Sequence, residues 1–221
     1  MNGWTVVVAA GQGDRFGGYK QAANLSGRPV LVHSVAGASK VSDGVVVVTA
    51  ADRQEAVTDL TRGFDLVSKV VPGGPTRSSS VRAGLAVVPK EATVVLVHDG
   101  ARPLASVDLF RRVVASVVDG ADAVVPGVAV RDSLRKACGG ELDREAVIAV
   151  QTPQGFNARS LRDAHRLGGE ASDDATLVEA AGGRVAVIDG EETNLKITVP
   201  LDLVIAELSI GAVGDEAVFG G

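Results

Sequence analysis

The stretch that decides the fold is a valine-rich run ending in glycines, Trp4-Thr5-Val6-Val7-Val8-Ala9-Ala10-Gly11-Gln12-Gly13. A short apolar run bounded by glycines is typical of a strand that is buried on both faces of a parallel sheet. Glycines directly after a first strand let backbone N–H groups approach and hold phosphate oxygens. The opening of the chain therefore predicts an α/β fold with a phosphate site at the end of its first strand.

The same pattern recurs along the chain, because short valine-rich runs alternate with longer amphipathic stretches. This rhythm predicts a Rossmann-like, doubly wound, mostly parallel sheet with helices on both faces. Ligands bind such sheets at the carboxyl ends of the strands. The predicted strands are Thr5–Ala9, Gly44–Thr49, Leu66–Val70, Thr93–Val97, Ala123–Pro126 and Val185–Ile188. The predicted helices are Val30–Ala38, Arg53–Arg62, Ser78–Val88, Val107–Val118, Ser160–Arg166, Ala175–Ala181 and Pro200–Ser209.

One segment, residues 131–151, breaks this rhythm. It is charged, contains a Cys138-Gly139-Gly140 turn and lacks helical spacing, so we interpret it as a protruding β-arm of the kind that often mediates dimerisation. Residues 1–211 are expected to form a single domain that includes this arm. The glycine-rich, acidic segment 212–221 is predicted to be a poorly ordered tail.

Composition excludes several classes of function. A formal net charge of −5 argues against a general nucleic-acid-binding protein, which would present a positive surface to phosphates. No apolar stretch reaches the roughly 20 residues that cross a bilayer, so no membrane association is expected. Cys138 is the only cysteine, which excludes an intramolecular disulfide and fits a cytoplasmic protein.

The loop after the first strand is not one of the two common phosphate-binding loops. Its third glycine is Gly17 rather than residue 16, and Thr49-Ala50-Ala51 follows the second strand where a dinucleotide-binding site would have an acidic residue. A P-loop is excluded because Tyr19 follows Gly18. The loop instead contains two cations, Arg15 and Lys20, which favour a nucleoside triphosphate as the ligand.

Further motifs make the interpretation specific. The pattern Ala-Ala-Gly-x-Gly-x-Arg, followed by Lys20-Gln21, resembles the signature loop of sugar-nucleotide pyrophosphorylases and cytidylyltransferases. Within that superfamily, the motifs of residues 4–210 resemble, in order, those of the 2-C-methyl-D-erythritol 4-phosphate cytidylyltransferases of the non-mevalonate isoprenoid pathway. They are Gly73-Gly74-x-x-Arg77-x-x-Ser80-Val81, Val97-His98-Asp99-x-Ala101-Arg102-Pro103, Arg131-Asp132-Ser133, Gln151-Thr152-Pro153-Gln154, Asp173-Asp174-Ala175 and Asn194-Leu195-Lys196-Ile197-Thr198.

The resemblance implies that a phosphate oxygen of the acceptor attacks the α-phosphorus of CTP and expels pyrophosphate. A phosphate monoester, with a second pKa of about 6, needs no general base near neutral pH. The protein must instead supply fixed cations, N–H donors and a metal ion. A related cytidylyltransferase acting on ribitol 5-phosphate or another polyol phosphate is the alternative. A dinucleotide-binding oxidoreductase and a non-catalytic nucleotide-binding homologue are the competing classes.

The resemblance also assigns roles to individual residues. Asp99 would hold Mg²⁺, and Arg144 would reach the acceptor site of a partner subunit, which implies a homodimer that exchanges site residues through its arms. The catalytic cations implied are Arg15, Lys20 and Lys196. The nucleotide-binding residues implied are Ala9, Ala10, Gly11, Gly13, Gly74, Ser80, Asp99 and Gly100. The acceptor-binding residues implied are Arg102, Ser133, Arg144 and Thr152.

Several polar residues near these motifs are better explained by structural roles. We interpret His98 as a hydrogen-bonding residue rather than a catalyst, and His33 and His165 as ordinary helix residues. Asp173 and Asp174 precede a predicted helix, where carboxylates suit the N-terminus, so both are expected to be mainly structural.

Overall fold

A computed structural model of the chain describes residues 2–213. Its strands are β1 Gly3–Ala9, β2 Asn24–Leu25, β3 Arg28–Pro29, β4 Gly44–Thr49, β5 Val67–Pro72, β6 Val94–Asp99, β7 Ala123–Ala129, β8 Leu134–Arg135, β9 Glu141–Leu142, β10 Ile148–Val150, β11 Gln154–Asn157 and β12 Val185–Asp189. Its α-helices are α1 Val30–Ser39, α2 Gln54–Thr61, α3 Arg77–Leu85, α4 Val107–Val118, α5 Ala158–Arg166, α6 Asp174–Ala180 and α7 Pro200–Val213. Every predicted strand and helix is present, with boundaries that differ by a few residues.

The main sheet has the strand order β5-β4-β1-β6-β11-β7, with β12 on the outer edge of β7. The pairs β1–β4, β1–β6, β4–β5 and β7–β12 are parallel, so the predicted doubly wound, mostly parallel sheet is confirmed. Strands β4 and β6 are buried along their whole length, which agrees with the apolar runs Val45–Val48 and Val94–Val97 that they contain. The ends of β1 and β6 therefore meet at the same edge of the sheet.

Strand β11 was not predicted, and it runs antiparallel between β6 and β7. Its sequence, Gln154-Gly155-Phe156-Asn157, has neither a valine run nor clear alternation. Glycine and asparagine are also both depleted in strands, so local preference does not predict a strand here. Gly155 is needed for packing, since a Cβ atom there would lie 2.4 Å from Cγ1 of Val113 in α4. Tertiary packing thus outweighs local preference at this strand.

The predicted arm is partly confirmed and partly wrong. Strands β8 and β9 form a separate antiparallel hairpin, closed by a turn in which Lys136 N–H donates to the carbonyl of Gly140 at 3.0 Å. Strand β10, however, does not project with this hairpin. It pairs antiparallel with Gly127–Ala129 of β7 and so extends the main sheet. The arm is therefore confined to residues before Ile148.

Two apolar clusters cover the two faces of the sheet. Helix α3 packs closely on one face, where an added Cβ at Gly84 would lie 2.5 Å from Val6 Cγ1. Helices α1 and α4 cover the other face around Phe110. A third cluster joins α7 to the segment after β12 through buried residues that include Ile197 and Ile210.

The carboxyl end of the chain was predicted less well. Helix α7 continues to Val213, into the segment that we predicted to be a poorly ordered tail. Residues 214–221 of that predicted tail lie outside the part of the chain that the structure describes. Among residues 2–213, no helix has the combination of length and apolar composition that is needed to cross a membrane.

Candidate active site

The glycine loop after β1 folds into two short 3₁₀ turns, Asp14–Phe16 and Lys20–Ala22. The carbonyl of Gly13 accepts hydrogen bonds from Phe16 N–H at 2.8 Å and Gly17 N–H at 3.1 Å. Gly13 has φ +79°, and a Cβ atom there would lie 2.1 Å from the carbonyl oxygen of Gly18. Only glycine suits this position. The tight loop turns the chain so that Lys20 is buried at the carboxyl end of β1.

A cleft with two lobes opens at the carboxyl ends of β1 and β6. The larger lobe, of about 240 Å³, is lined by Val8, Ala10, Gly11, Lys20, Gln21, Gly74, Pro75, Thr76, Arg77, Ser80, Asp99, Ala101 and Lys196. The smaller lobe, of about 200 Å³, is lined by Arg77, Asp99, Arg102, Val150, Gln151, Thr152, Gln154, Ser172, Asp173 and Lys196. Three charged residues, Arg77, Asp99 and Lys196, belong to both lobes.

Asp99, the last residue of β6, is surrounded by cations. Its Oδ2 atom lies 2.7 Å from Lys196 Nζ and 3.7 Å from Arg102 Nε, and its Oδ1 atom lies 3.9 Å from Arg77 Nε. Burial would raise the pKa of the Asp99 carboxyl, but Lys196, Arg77 and Arg102 outweigh burial and lower it to about 2. The cleft therefore contains one permanently ionised carboxylate among three cations.

Lys20 is a further cation of the larger lobe, beside Arg77 and Lys196. Its side chain is 9% exposed, and burial lowers the pKa of its ammonium group. The positive charge of Lys196 lowers that pKa further, whereas Asp99 raises it. A bound polyanion would favour the charged form of Lys20, so the site is electrostatically suited to phosphates.

Lys196 is held by its neighbours in the chain rather than by a strand. We expected it to lie beside a core strand, but residues 194–198 are irregular. Fully buried Asn194 donates through Nδ2 to the carbonyl of Thr152 at 2.9 Å and to Gln151 Oε1 at 3.2 Å. Ile197 is also fully buried, and its N–H donates to the carbonyl of Ala101 at 2.8 Å. These anchors on both sides fix the Lys196 backbone at the cleft.

A series of hydrogen bonds through Thr152 and His98 lies next to Asp99. Asp99 N–H donates to Thr152 Oγ1 at 2.9 Å, and Thr152 Oγ1 lies 3.2 Å from His98 Nδ1. His98 Nε2 lies 3.2 Å from the carbonyl of Arg102, which can only accept, so Nε2 carries the proton and Nδ1 accepts from Thr152. Burial lowers the pKa of His98 to about 4, which keeps the ring neutral. His98 is therefore a hydrogen-bonding residue, as expected.

A second ion pair lies at the side of the cleft and was not predicted. Arg77, the first residue of α3, donates through Nη1 to Asp174 Oδ2 at 2.5 Å. Asp174 is fully buried and also lies, through Oδ1, 3.0 Å from His165 Nε2. Asp173 caps α6 by accepting from Thr176 N–H at 2.9 Å. Sequence patterns indicated a structural role for Asp174 but no partner, because Arg77 is 97 residues away.

Comparison with known proteins decides the family. A sequence model of the 2-C-methyl-D-erythritol 4-phosphate cytidylyltransferase family matches residues 4–212. The chain belongs to this family. It is therefore a cytidylyltransferase, a nucleotidyltransferase enzyme, and the predicted family is confirmed.

Individual relatives agree with this assignment. The 2-C-methyl-D-erythritol 4-phosphate cytidylyltransferase of Rhodococcus opacus is 45% identical over 211 residues, which cover 91% of this chain and 92% of that protein. The enzyme of the same name from Streptomyces coelicolor is 42% identical over 222 residues, covering 91% and 82%. The crystal structure of the cytidylyltransferase from Thermus thermophilus has a TM-score of 0.77 at 37% identity, covering 95% and 98%.

Most of the residues predicted for this cytidylyltransferase site lie at the cleft. Arg102 and Thr152, predicted to bind the acceptor, line the smaller lobe. The predicted catalytic and nucleotide-binding residues that line the larger lobe are Ala10, Gly11, Lys20, Gly74, Ser80, Asp99 and Lys196.

The other predicted residues do not line either lobe. Ala9 and Gly100 lie behind the larger lobe, where the Ala9 carbonyl accepts from Gln21 Nε2 at 3.2 Å. Arg15 is exposed, although its charge contributes to lowering the pKa of Lys20. Ser133 and Arg144 are exposed on the arm. The roles of these residues in binding stay predictions, as does that of Gly13, whose part here is to shape the loop.

The cytidylyltransferase cleft has suitable ligands for a single magnesium ion. Within residues 2–213, no three His, Cys, Asp or Glu side chains cluster as a metal site. Mg²⁺ needs only one or two carboxylates when substrate phosphates complete its shell. Asp99 fits this role because its pKa of about 2 keeps it ionised. Its Oδ1 atom has no ion-pair contact nearer than Arg77 Nε at 3.9 Å among the described residues, so this is the oxygen that could bind a metal.

Proposed function

We propose that this cytidylyltransferase transfers CMP from CTP to 2-C-methyl-D-erythritol 4-phosphate, giving 4-diphosphocytidyl-2-C-methyl-D-erythritol and pyrophosphate in isoprenoid precursor synthesis. The observation that carries the proposal is the convergence of Lys20, Lys196, Arg77 and Arg102 on a cleft at the sheet edge. The names of the relatives support the acceptor, and no observation favours ribitol 5-phosphate.

The two lobes suit the two substrates. CTP would occupy the larger lobe, with its triphosphate against Lys20 and Lys196 and its base near Ala10, Gly74 and Ser80. Ser80 Oγ donates to the carbonyl of Thr76 at 2.9 Å, so its hydroxyl proton is in use and the oxygen would act towards the base as an acceptor. The exocyclic amine of cytosine requires such an acceptor or a backbone carbonyl. The smaller lobe would take the acceptor phosphate against Arg102.

The reaction then needs only positioning and charge stabilisation. An oxygen of the acceptor phosphate forms a bond to the α-phosphorus of CTP, and the bond from that phosphorus to the bridging oxygen breaks, so pyrophosphate leaves with the electron pair. Lys196 lines both lobes, so its ammonium group would lie where negative charge develops between the two phosphates. Lys20 would stabilise the departing pyrophosphate, with Arg15 closing the loop over it.

Mg²⁺ is the proposed cofactor, and Asp99 would hold it. When bound, the ion neutralises charge on the triphosphate oxygens. Asp99 has a second role that does not depend on the metal, because its contact with Lys196 at 2.7 Å holds that ammonium group between the lobes. Both proposed roles require an ionised carboxyl, which agrees with the pKa of Asp99 of about 2.

We also propose a homodimer in which the arm completes the partner's acceptor site. Arg144 donates through Nη1 to the carbonyl of Arg131 at 3.2 Å. Its side chain is half exposed, unlike that of a buried structural arginine. Ser133 lies on the same arm. This exposure supports a role in trans, where both residues would contact the partner's substrate. A cytoplasmic location is proposed, and the exposed free thiol of Cys138 supports it.

Pyrophosphate release tests the proposed function. Purified protein is incubated with CTP, Mg²⁺ and 2-C-methyl-D-erythritol 4-phosphate, with ribitol 5-phosphate as acceptor and UTP as donor in parallel reactions. We expect release that requires the methylerythritol phosphate and prefers CTP. Release only with ribitol 5-phosphate would retain the chemistry and overturn the acceptor. No release by folded protein with any acceptor would overturn the proposal.

A further inference from the structure

Arg77 occupies the boundary between the two lobes, although sequence reasoning gave it no role. It lines both lobes, and its side chain is 21% exposed. Its guanidinium has five N–H donors, of which one meets Asp174 through Nη1. Within residues 2–213 the Nη2 group donates no hydrogen bond, and Nε lies 3.9 Å from Asp99. Donors therefore remain available at the junction of the lobes.

Asp174 fixes the direction of this guanidinium. The aspartate is fully buried, and its two oxygens are used by Arg77 at 2.5 Å and by His165 at 3.0 Å. Burial opposes the charge of Arg77, but Asp174 and Asp99 outweigh burial and raise the pKa of its guanidinium. An arginine held at one end by a buried carboxylate presents its other donors in a fixed geometry, which suits recognition of phosphate oxygens.

Stability alone does not account for this pair. A buried ion pair often contributes little net stability, because desolvation of both charges offsets their attraction. Helix α3 is also joined to the segment before α6 by a second pair, Arg82 with Glu170 at 2.6 Å, which lies outside both lobes. The Arg77–Asp174 pair differs from it in two ways: it faces the cleft, and its carboxylate is fully buried, whereas the Glu170 side chain is 50% exposed.

We propose that Arg77 is a further substrate-binding cation, holding phosphate oxygens where the two lobes meet, and that Asp174 is the positioning residue that fixes its guanidinium. This inference rests on the proposed function, because it assumes that CTP and the acceptor phosphate occupy the two lobes. Arg77 would then contact phosphate oxygens of both substrates, since it lines both lobes.

Three variants test the proposal, with a matched control. Arg77→Lys keeps the charge and loses the guanidinium fork, whereas Asp174→Asn keeps the shape and loses the carboxylate. The double variant combines them. Glu170→Gln is the control, because it weakens the other arginine pair between the same two parts of the fold. Thermal unfolding of each variant sets an assay temperature at which all are folded.

Binding and turnover are then measured separately. Calorimetry measures the affinity for CTP. We expect Arg77→Lys and Asp174→Asn each to weaken this affinity by about 10-fold and to lower kcat by about 10- to 100-fold. Glu170→Gln should stay within about twofold of the wild type in both. Because Asp174 acts through Arg77, the double variant should lose no more than Arg77→Lys alone.

The outcomes separate this inference from the proposed function. Equal losses in Asp174→Asn and Glu170→Gln, or losses that multiply in the double variant, would show a structural role and overturn the inference. A wild type that binds CTP but transfers nothing to methylerythritol phosphate would overturn the acceptor, while CTP binding by the variants would still decide the role of Arg77. Unchanged CTP binding and kcat in Arg77→Lys would overturn the inference directly.

Discussion

Lys196 Nζ lies 2.7 Å from Asp99 Oδ2, so an irregular segment near the end of the chain brings its lysine to the last residue of a central strand. The contact orders a side chain that is 41% exposed and would otherwise sample many rotamers. It also keeps Asp99 ionised. A cation that is already oriented needs little reorganisation when the phosphates bind, which is the condition for strong electrostatic catalysis.

Removing this cation should slow transfer more than it weakens binding. We expect Lys196→Ala to lower kcat by about 10²- to 10³-fold with a smaller change in the KM for CTP, because the lysine lies where charge develops. Steady-state pyrophosphate release checks this. The matched control is Lys69→Ala, which removes an exposed lysine on β5 and should leave both constants unchanged. Equal effects of the two substitutions would contradict the assignment of Lys196.

His98 should make the protein less stable in mild acid. Its pKa is about 4 in the folded chain against 6.5 for the free side chain, so the unfolded chain binds more protons between these values. Stability is then complete above about pH 6.5 and falls as the pH decreases towards 4, by roughly 3 kcal/mol in total.

Urea unfolding at a series of pH values measures this loss, and His98→Gln should remove most of it. Asp99 cannot imitate the effect, because its pKa is lowered from 3.8 to about 2, and its contribution is lost only as the pH falls through that range. A wild-type stability that stays constant from pH 7 to pH 5 would contradict the neutral, buried imidazole inferred for His98.

Local sequence patterns predicted the parts of the fold that are governed by burial. The strands β4 and β6 were recognisable because both faces of each are covered and each contains four consecutive apolar residues. Asp99 was assigned to the site on the same basis, since a polar residue at the carboxyl end of such a strand faces the ligand edge.

The missed features depend on contacts that no local pattern records. Strand β11 was hidden because Gly155 is required by Val113 in a neighbouring helix, not by the strand itself. The Arg77–Asp174 pair joins residues 97 positions apart, so neither residue's neighbours indicate the partner. Strand β10 was included in the predicted arm because the sequence of this short strand does not indicate that it pairs with β7.

Substitution of Gly13 should weaken CTP binding because of a steric contact, and this effect can be separated from backbone strain. Gly13 and Gly17 both have positive φ, but a Cβ atom would meet the Gly18 carbonyl oxygen at 2.1 Å only at Gly13, whereas nothing lies within 4 Å at Gly17. Gly17→Ala should therefore cost about 1 kcal/mol of local strain. Gly13→Ala should also displace Lys20 and raise the KM for CTP at least about 10-fold.

Gly18→Ala completes this series, since it introduces neither a positive φ nor a close contact and Gly18 lines neither lobe. Comparing the KM for CTP and the melting temperature across the three variants separates loop geometry from stability. Similar KM values for the Gly13 and Gly17 variants would show that the Gly18 contact is unimportant and that the loop adapts.

Mixed dimers should reveal whether Arg144 acts across the subunit interface. If it does, Arg144→Ala and Lys196→Ala homodimers are both defective, but a heterodimer of the two has one site with an intact Lys196 and an intact partner arginine. Random reassortment makes half of the dimers mixed, so activity should recover to about a quarter of the wild-type value. The control mixture, Lys20→Ala with Lys196→Ala, should not recover, because both lysines line the same lobe of one chain. If the Arg144 mixture stays as inactive as this control, Arg144 acts within its own chain. If the Arg144→Ala homodimer is itself fully active, Arg144 has no role in transfer, and the exposed arm needs another explanation.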